Sequence, residues 1–446
     1  MKQQPSTRSA YLLLIFLTFL NILNFVDRQL VVVLAVPLAE ELGLSLTQVA
    51  WLYGYIFLVF YTLMGMVMAT VPDRWSRQRL IAGGLFLWSA LTAVSGLAGS
   101  FLHLALARML VGIGEATLTP AALSILSDAF PPKRRALASG IYYSGVSLGS
   151  GLSLIIAGQM VSRYGWRSCF YALGVLGLLL APLVLLIKTP PRGAAEAAAA
   201  PATGAQSTNL IGNLAGEALS TREIYRTLFQ TLRRSPALVL TITAAVLINF
   251  STAASSYSFT WLVKERGMDF RTTGLVMGII VIVAGLAGSS GVSAISDWFH
   301  GRYSGGRLWL LFFKAFFFLP FVIGYYTLAI DASYGLFYIC WFMATINTLS
   351  WYGPIFATVQ DLAPIRIRAT AIAFLMLVIN LIGTGLGPLA AGMIGDRYSL
   401  WRGLMVCASI GYLSIIPLFL AARRYKTDLE RAREPEITLM ASPSPA

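Results

Sequence analysis

The stretch Arg108-Met-Leu-Val-Gly-Ile-Gly-Glu-Ala116, continuing through Thr117-Leu-Thr-Pro120, decides how the chain is read. It lies in an apolar run from about Phe101 to Leu126, long enough to cross a bilayer as a helix. Inside that run stand an arginine and a glutamate. Seven residues apart, they are about two helical turns and about 10 Å from each other along the axis, so both project from nearly the same face. A charge at membrane depth costs at least ~2.5–3.5 kcal/mol and faces a partner or a wet cavity. This face is therefore read as the wall of a functional cavity.

Composition agrees. Of 446 residues, 57% are hydrophobic and only 12% charged, against about a quarter charged in a soluble domain. Apolar spans are counted at roughly 10–37, 46–71, 80–99, 101–127, 135–162 and 166–188, then at 236–262, 272–297, 305–328, 333–361, 366–394 and 401–422. The expected fold is an all-α polytopic membrane protein of twelve helices in two six-helix bundles, residues 1–188 and 236–422. A linker at 189–235 joins them, and a tail at 423–446 follows. The first span is too long, and too interrupted by Asp27-Arg28, to be a cleaved signal peptide.

With the N-terminus inside, 23 of the 33 Lys and Arg fall at cytoplasmic ends and loops. Both termini are therefore expected in the cytoplasm. The net charge of +14 reads as a topology signal, not as a nucleic-acid-binding surface. Cys169, Cys340 and Cys407 all fall in apolar spans and suggest neither a disulfide framework nor a metal site. His103 and His300 sit apart, so no catalytic or metal-binding constellation is visible and no enzyme is expected. Gly383-Thr-Gly-Leu-Gly387 lies within a span, which makes it a packing feature and not a nucleotide loop.

In the first span, Asn21, Asn24 and Arg28 recur at i, i+3 and i+7 on one helical face, with Asp27 beside them. Counting depth along antiparallel helices brings Asp27 and Arg28 to levels overlapping Arg108 and Glu115. One cluster of two acids and two arginines, mutually neutral, is the cheapest arrangement. Span five is rich in small residues from Gly140 to Gly151, which read as close helix packing. In the linker, a Pro/Ala/Gly-rich stretch over 189–220 is expected to be flexible. Glu223 to Arg234 reads as a short amphipathic helix, with Ile224, Leu228 and Leu232 aligned and arginines around them, lying on the inner membrane surface.

The second half repeats the first. Asp361, Pro364, Arg368, Ala369 and Ala371 match Asp128, Pro131, Arg135, Ala136 and Ala138 at a constant offset of 233, and Trp401-Arg402 answers Trp166-Arg167. A six-span unit duplicated in one orientation is a transporter architecture with its site between the repeats. The second half supplies Asn249, Tyr257, Trp351 and Tyr352 as candidate binding groups. Eight aromatics on spans seven and ten (Phe250, Tyr257, Phe259, Trp341, Phe342, Trp351, Tyr352 and Phe356) suggest an apolar pole opposite the charged one.

Asp73-Arg74 with Arg77, and Arg108…Gly112…Gly114, resemble the signatures of the major facilitator superfamily, although Ala69 and Ser76 stand where glycines are usual. More narrowly, Asn24-Phe-Val-Asp-Arg28, Ser76-Arg77, Gly112-Ile-Gly-Glu-Ala116, Pro120-Ala-Ala, Gly165-Trp-Arg and Asn380-Leu-Ile-Gly-Thr-Gly-Leu-Gly-Pro388 resemble the spinster-like branch. The resemblance implies a secondary transporter, with export of lysophospholipids or sphingoid lipids as the associated activity. The anion:cation symporter branch, which carries small organic acids, shares the Asp-Arg and Gly-Glu-Ala elements and is the alternative. A transport-silent receptor on the same fold is a third reading. The expectations are proton coupling through Asp27 or Glu115, substrate contact through Arg28, Arg108, Asn24, Asn249, Tyr257, Trp351 and Tyr352, and a cytoplasmic gate of Asp73, Arg77, Asp128 and Arg135. No cofactor is expected beyond the proton gradient. The partners are a small-molecule or lipid substrate, protons and the bilayer, and the chain is expected to be a monomer in a bacterial inner membrane.

Overall fold

The computed structural model describes residues 7–68, 75–187, 189–191, 221–330, 334–364 and 367–441. Among them every regular element is helical. Ten helices are long and apolar enough to cross a membrane. The other two expected spans are present as Arg77–Ser95 and as Tyr334–Leu349 with Tyr352–Leu362. Asp73 of the expected gate and most of the Pro/Ala/Gly stretch lie outside the described residues.

Several spans are interrupted, and prolines explain three of the interruptions. Span four is a helix from Phe101 to Glu115 that stops at Ala116-Thr117 and resumes at Leu118–Ala129. Pro120 has no N–H to give the carbonyl four residues back, at Ala116. Span ten breaks in the same way at Ser350-Trp351, four residues before Pro354. In span eleven the wide turn over Ile379–Thr384 ends four residues before Pro388. Span seven, Pro236–Ala254 and Ser258–Lys264, is broken by a tight 3₁₀ turn at Ser255–Tyr257. The helix of span twelve runs on from Ile415 to Ala441.

The chain forms two contact units. The first comprises Met1–Ala202, Ser256–Val283 and Pro388–Gly403, so it includes parts of spans seven, eight and eleven. The second comprises Thr203–Ser255, Ala284–Gly387 and Leu404–Ala446.

In the first unit, small residues set the helix approaches. A Cβ on Gly149 of span five (Pro132–Tyr164) would lie 2.5 Å from the Ile22 carbonyl oxygen of span one (Thr7–Val33). Further along, a Cβ on Gly151 would lie 2.5 Å from the Gly278 carbonyl oxygen of span eight, and one on Gly158 would lie 3.1 Å from the Gly274 Cα. Side chains of this size let backbones touch, which supplies the packing that lipid cannot drive. Asn21 is used here too: its Nδ2 donates to the Tyr142 carbonyl, 2.9 Å, across the span one–span five contact.

In the second unit, Trp351, Ile355, Val359, Leu375 and Ile379 form one apolar core with residues of span seven and span twelve. The linker helix Thr221–Arg234 docks on this core through Leu228, with Ile224 and Leu232 packed beside it.

Candidate functional site

Span one and span four meet in the first unit, and the break after Glu115 leaves that carboxylate on the last turn of its helix segment. Asp27 and Arg28 are adjacent in sequence, so their side chains diverge by about 100° around the helix. They do not pair with each other. Arg28 Nη2 and Nε both donate to Glu115 Oε2, at 3.0 and 3.2 Å. Asp27 Oδ2 lies 3.5 Å from Arg108 Nη1 and accepts a hydrogen bond from Thr92 Oγ1 of span three, 3.0 Å. The four charges form the expected cluster as two crossed pairs.

The two pairs differ in exposure. The side chains of Arg108 and Asp27 are 1% and 2% exposed and Glu115 is 0% exposed, whereas Arg28 retains 17%. Arg28 also rests among aromatic faces: its guanidinium carbon lies 4.2 Å from the Tyr61 ring centroid, 4.8 Å from Phe25 and 5.0 Å from Phe57. Phe57 serves Arg108 as well, at 5.2 Å. Gly112 makes this possible, because a Cβ there would sit 2.9 Å from the Phe57 carbonyl oxygen. Tyr61 and Phe57 belong to span two, and sequence reading passed over them because aromatics on an apolar span carry no distinguishing signal. Asn24 is buried beside the cluster. Glu115 Oε1 and Asp27 Oδ1 are buried and accept no hydrogen bond among the described residues. Each acid therefore has one oxygen facing its partner and one without a hydrogen bond among the described residues.

The second-half candidates divide. Asn249 of span seven donates from Nδ2 to the Ile379 carbonyl, 2.8 Å, and to Thr384 Oγ1, 2.9 Å, bridging the wide turn of span eleven. Tyr352 Oη donates to Asn249 Oδ1, 3.2 Å, and its ring stacks on Trp351 at 3.9 Å. Tyr352 is 41% exposed, while Trp351 is wholly buried and supports it from behind. Tyr257 is not with them. It belongs to the first unit, where its hydroxyl donates to the Leu46 carbonyl, 2.5 Å. Of the eight expected aromatics, Tyr257, Phe259, Trp341 and Trp351 are buried in protein.

At the end carrying the basic loops, Arg77 forms an ion pair with Asp128 and donates to the Ser124 and Pro190 carbonyls at 3.1 and 2.8 Å. Arg135 Nε donates to the Phe130 carbonyl, 3.3 Å, and 233 residues later Arg368 Nε donates to the Ala363 carbonyl at the same distance. The second repeat has its own ionic knot. Arg307 pairs with Asp361 and with Asp297, the latter at 3.0 Å, and Tyr425 donates to Asp361, 3.0 Å. Only Asp361 of this knot was visible through the sequence offset.

At the opposite end, three acids hold chain segments together, and none of them was singled out in the sequence. Glu41 accepts from Trp166 Nε1, 2.6 Å, and pairs with Arg167; these bonds, the tryptophan's first, hold its carboxyl below the usual carboxylate range. Asp396 accepts from the backbone N–H groups of Leu46 and Thr47, 2.8 and 2.9 Å, at the start of span two. Glu265 accepts from the Trp401 N–H, 3.0 Å. Acids at span ends have no periodic pattern, so only partners 125 to 350 residues away reveal them.

The sequence profile of the Major Facilitator Superfamily matches residues 17–388. An "MFS-type efflux pump" of Mycolicibacterium smegmatis is 30% identical over 431 residues, 94% of each chain. The "Sphingosine-1-phosphate transporter SPNS2" of Danio rerio is 24% identical over 464 residues, covering 96% of this chain and 87% of its own. Among solved structures, a bacterial homologue of the human lysosomal transporter Spinster, inward-facing and unoccupied, superposes with a TM-score of 0.80 at 24% identity, covering 95% of this chain and 99% of that one.

Proposed function

Because the chain belongs to the Major Facilitator Superfamily, it is a membrane transporter and not an enzyme, and we propose that it moves an amphipathic molecule with a charged head and an acyl or alkyl chain by proton-coupled alternating access. The observation that carries this reading is the asymmetry of the crossed pairs. Arg108 is buried against Asp27, which Thr92 also holds, whereas Arg28 keeps an exposed edge among three aromatic rings. With both acids ionised the cluster is neutral. A proton on Glu115 cancels the charge that holds Arg28 and leaves a cation able to take a phosphate or carboxylate. Asp27 and Arg108 then serve as a fixed counter-pair that anchors span one to span four.

The lipid part of the reading is supported by the aromatic setting of Arg28 and by the spinster-like relatives, one of which is named for a phosphorylated sphingoid base. Burying a chain is worth ~0.8 kcal/mol per CH₂ relative to water, but the bilayer offers nearly the same. Selectivity must therefore reside in the head group at Arg28. The protein works as a monomer in a bacterial inner membrane, its basic end towards the cytoplasm and its driving force the proton gradient. The Arg77–Asp128 pair acts as part of a gate at that end, together with Arg135 and Asp73.

Binding of a lysophospholipid series against short dicarboxylates, to wild type and Arg28→Ala, tests the proposal. Lysolipids should bind wild type, and Arg28→Ala should weaken them by roughly ten-fold or more, the scale of one charge-assisted hydrogen bond. If only the short acids bind, the organic-anion symporter reading replaces this one.

A further inference from the structure

The linker helix Thr221–Arg234 presents four distinct flanks, and its aliphatic one docks inside the protein. Ile224, Leu228 and Leu232 form the stripe that docks on the core of the second unit. The helix is fixed at its far end as well: buried Asp428 of span twelve accepts from Ser235 Oγ, 3.3 Å, and from the Ala237 N–H, 2.7 Å. Its rotation about its own axis is thereby set.

Turning about 20–60° from the docked stripe at 100° per residue brings up Tyr225 and then Phe229. They are 50% and 59% exposed, both adjacent to the buried stripe and both turned away from the core. The next residues round the helix are Arg222, Arg233 and Arg226, all exposed. The remaining side carries Gln230, Glu223, Arg234, Thr227 and Thr231. The order around the helix is therefore docked aliphatic, exposed aromatic, basic, then polar. The single acid of the helix, Glu223, lies beyond the arginines on the polar side. Two residues past Arg234, the last of the helix, Pro236 begins a membrane span.

That order matches a membrane interface, with aromatic rings at headgroup level and cations above them. We infer that the linker helix is a lipid-binding surface, with Tyr225 and Phe229 inserted at the interface and Arg222, Arg226 and Arg233 holding anionic headgroups of the leaflet at the basic end. A plain water-facing helix would not place two large aromatics between its docked stripe and its arginines. Each arginine near an anionic surface contributes about 1 kcal/mol, equivalent to about five-fold in binding. Because the helix is pinned to spans seven and twelve, headgroup occupancy bears directly on the base of the second unit.

Site-directed spin labels on the full-length protein test this, because the three native cysteines are buried. Phe229→Cys and Gln230→Cys are labelled and reconstituted in vesicles of pure phosphatidylcholine or of phosphatidylcholine with phosphatidylglycerol. The label at 229 should be reached by oxygen and shielded from a water-soluble nickel complex when phosphatidylglycerol is present, whereas the label at 230 stays in water. Combining Phe229→Cys with Arg222→Gln, Arg226→Gln and Arg233→Gln should remove the dependence on phosphatidylglycerol, and Arg234→Gln on the polar side should not. A label at 229 as water-accessible as that at 230 in both membranes would overturn the inference. So would immersion at 229 that is indifferent to anionic lipid. The comparison of the two vesicle types needs no arginine variant, so it stands even if the triple variant fails to fold.

Discussion

On the proposed function, Arg28 and Arg108 carry the same charge but do different work, and their variants should separate. Arg108→Ala removes the only cation in ion-pair distance of buried Asp27 among the described residues, and breaking such a pair costs about 3–5 kcal/mol. Unfolding in detergent should register most of that loss. Arg28→Ala leaves Glu115, which protonation can neutralise, so it should lose head-group binding with a much smaller shift in stability. Equal stability losses in the two variants would count against the division of labour. Sequence spacing foretold one neutral cluster. It could not foretell the crossing, because which of two adjacent side chains meets which partner depends on the rotation of span one against span four. Tyr257 and Trp351 mark the same limit. Nothing in the residue spacing places the Tyr257 hydroxyl on the Leu46 carbonyl or the Trp351 indole inside the core.

Between elements, two features admit direct tests. Gly149 touches the Ile22 carbonyl and the Phe25 side chain, so Gly149→Ala should force span one away from span five and cost about 1–3 kcal/mol. Gly140→Ala, on the same helix with open space around it, should be neutral by the same thermal assay. The second feature is the clasp of Glu41 on Trp166 and Arg167. Its folded carboxyl is held below the unfolded value of about 4.3, so the clasp is complete above that value and is lost as pH falls through the lowered one. Melting of wild type minus Glu41→Gln should be constant from neutral pH to about pH 5 and close towards zero in stronger acid. A difference that persists unchanged at low pH would contradict the clasp. The proline-linked breaks in spans four, ten and eleven were legible in principle, since Pro120, Pro354 and Pro388 each stand four residues after an interruption or its end. The linker helix was legible as amphipathic, but its docking on the second unit was not. Its aliphatic stripe fits lipid and protein equally well.

At the scale of whole units, Arg77–Asp128 is the ion pair beside the basic loops of the first and Arg307–Asp361 is an ion pair of the second, while Asp396 holds the start of span two at the other end of the first. Alternating access requires that these not hold equally in every state. Asp128→Asn should raise cysteine labelling from the basic side and Asp396→Ala from the opposite side; the same change in both, or none, would count against a two-ended gate. The duplicated plan was the most legible feature of all, because a fixed offset of 233 survives into matching Arg135–Phe130 and Arg368–Ala363 bonds. On the proposed function, one proton and one anionic head bind together at the Arg28–Glu115 pair. Calorimetry of lysolipid binding in buffers of different ionisation heat measures the protons taken up. About one proton should be taken up by wild type and by Asp27→Asn, and none by Glu115→Gln, in which the site is permanently neutralised. Proton uptake that survives Glu115→Gln, or that vanishes in Asp27→Asn alone, would contradict it.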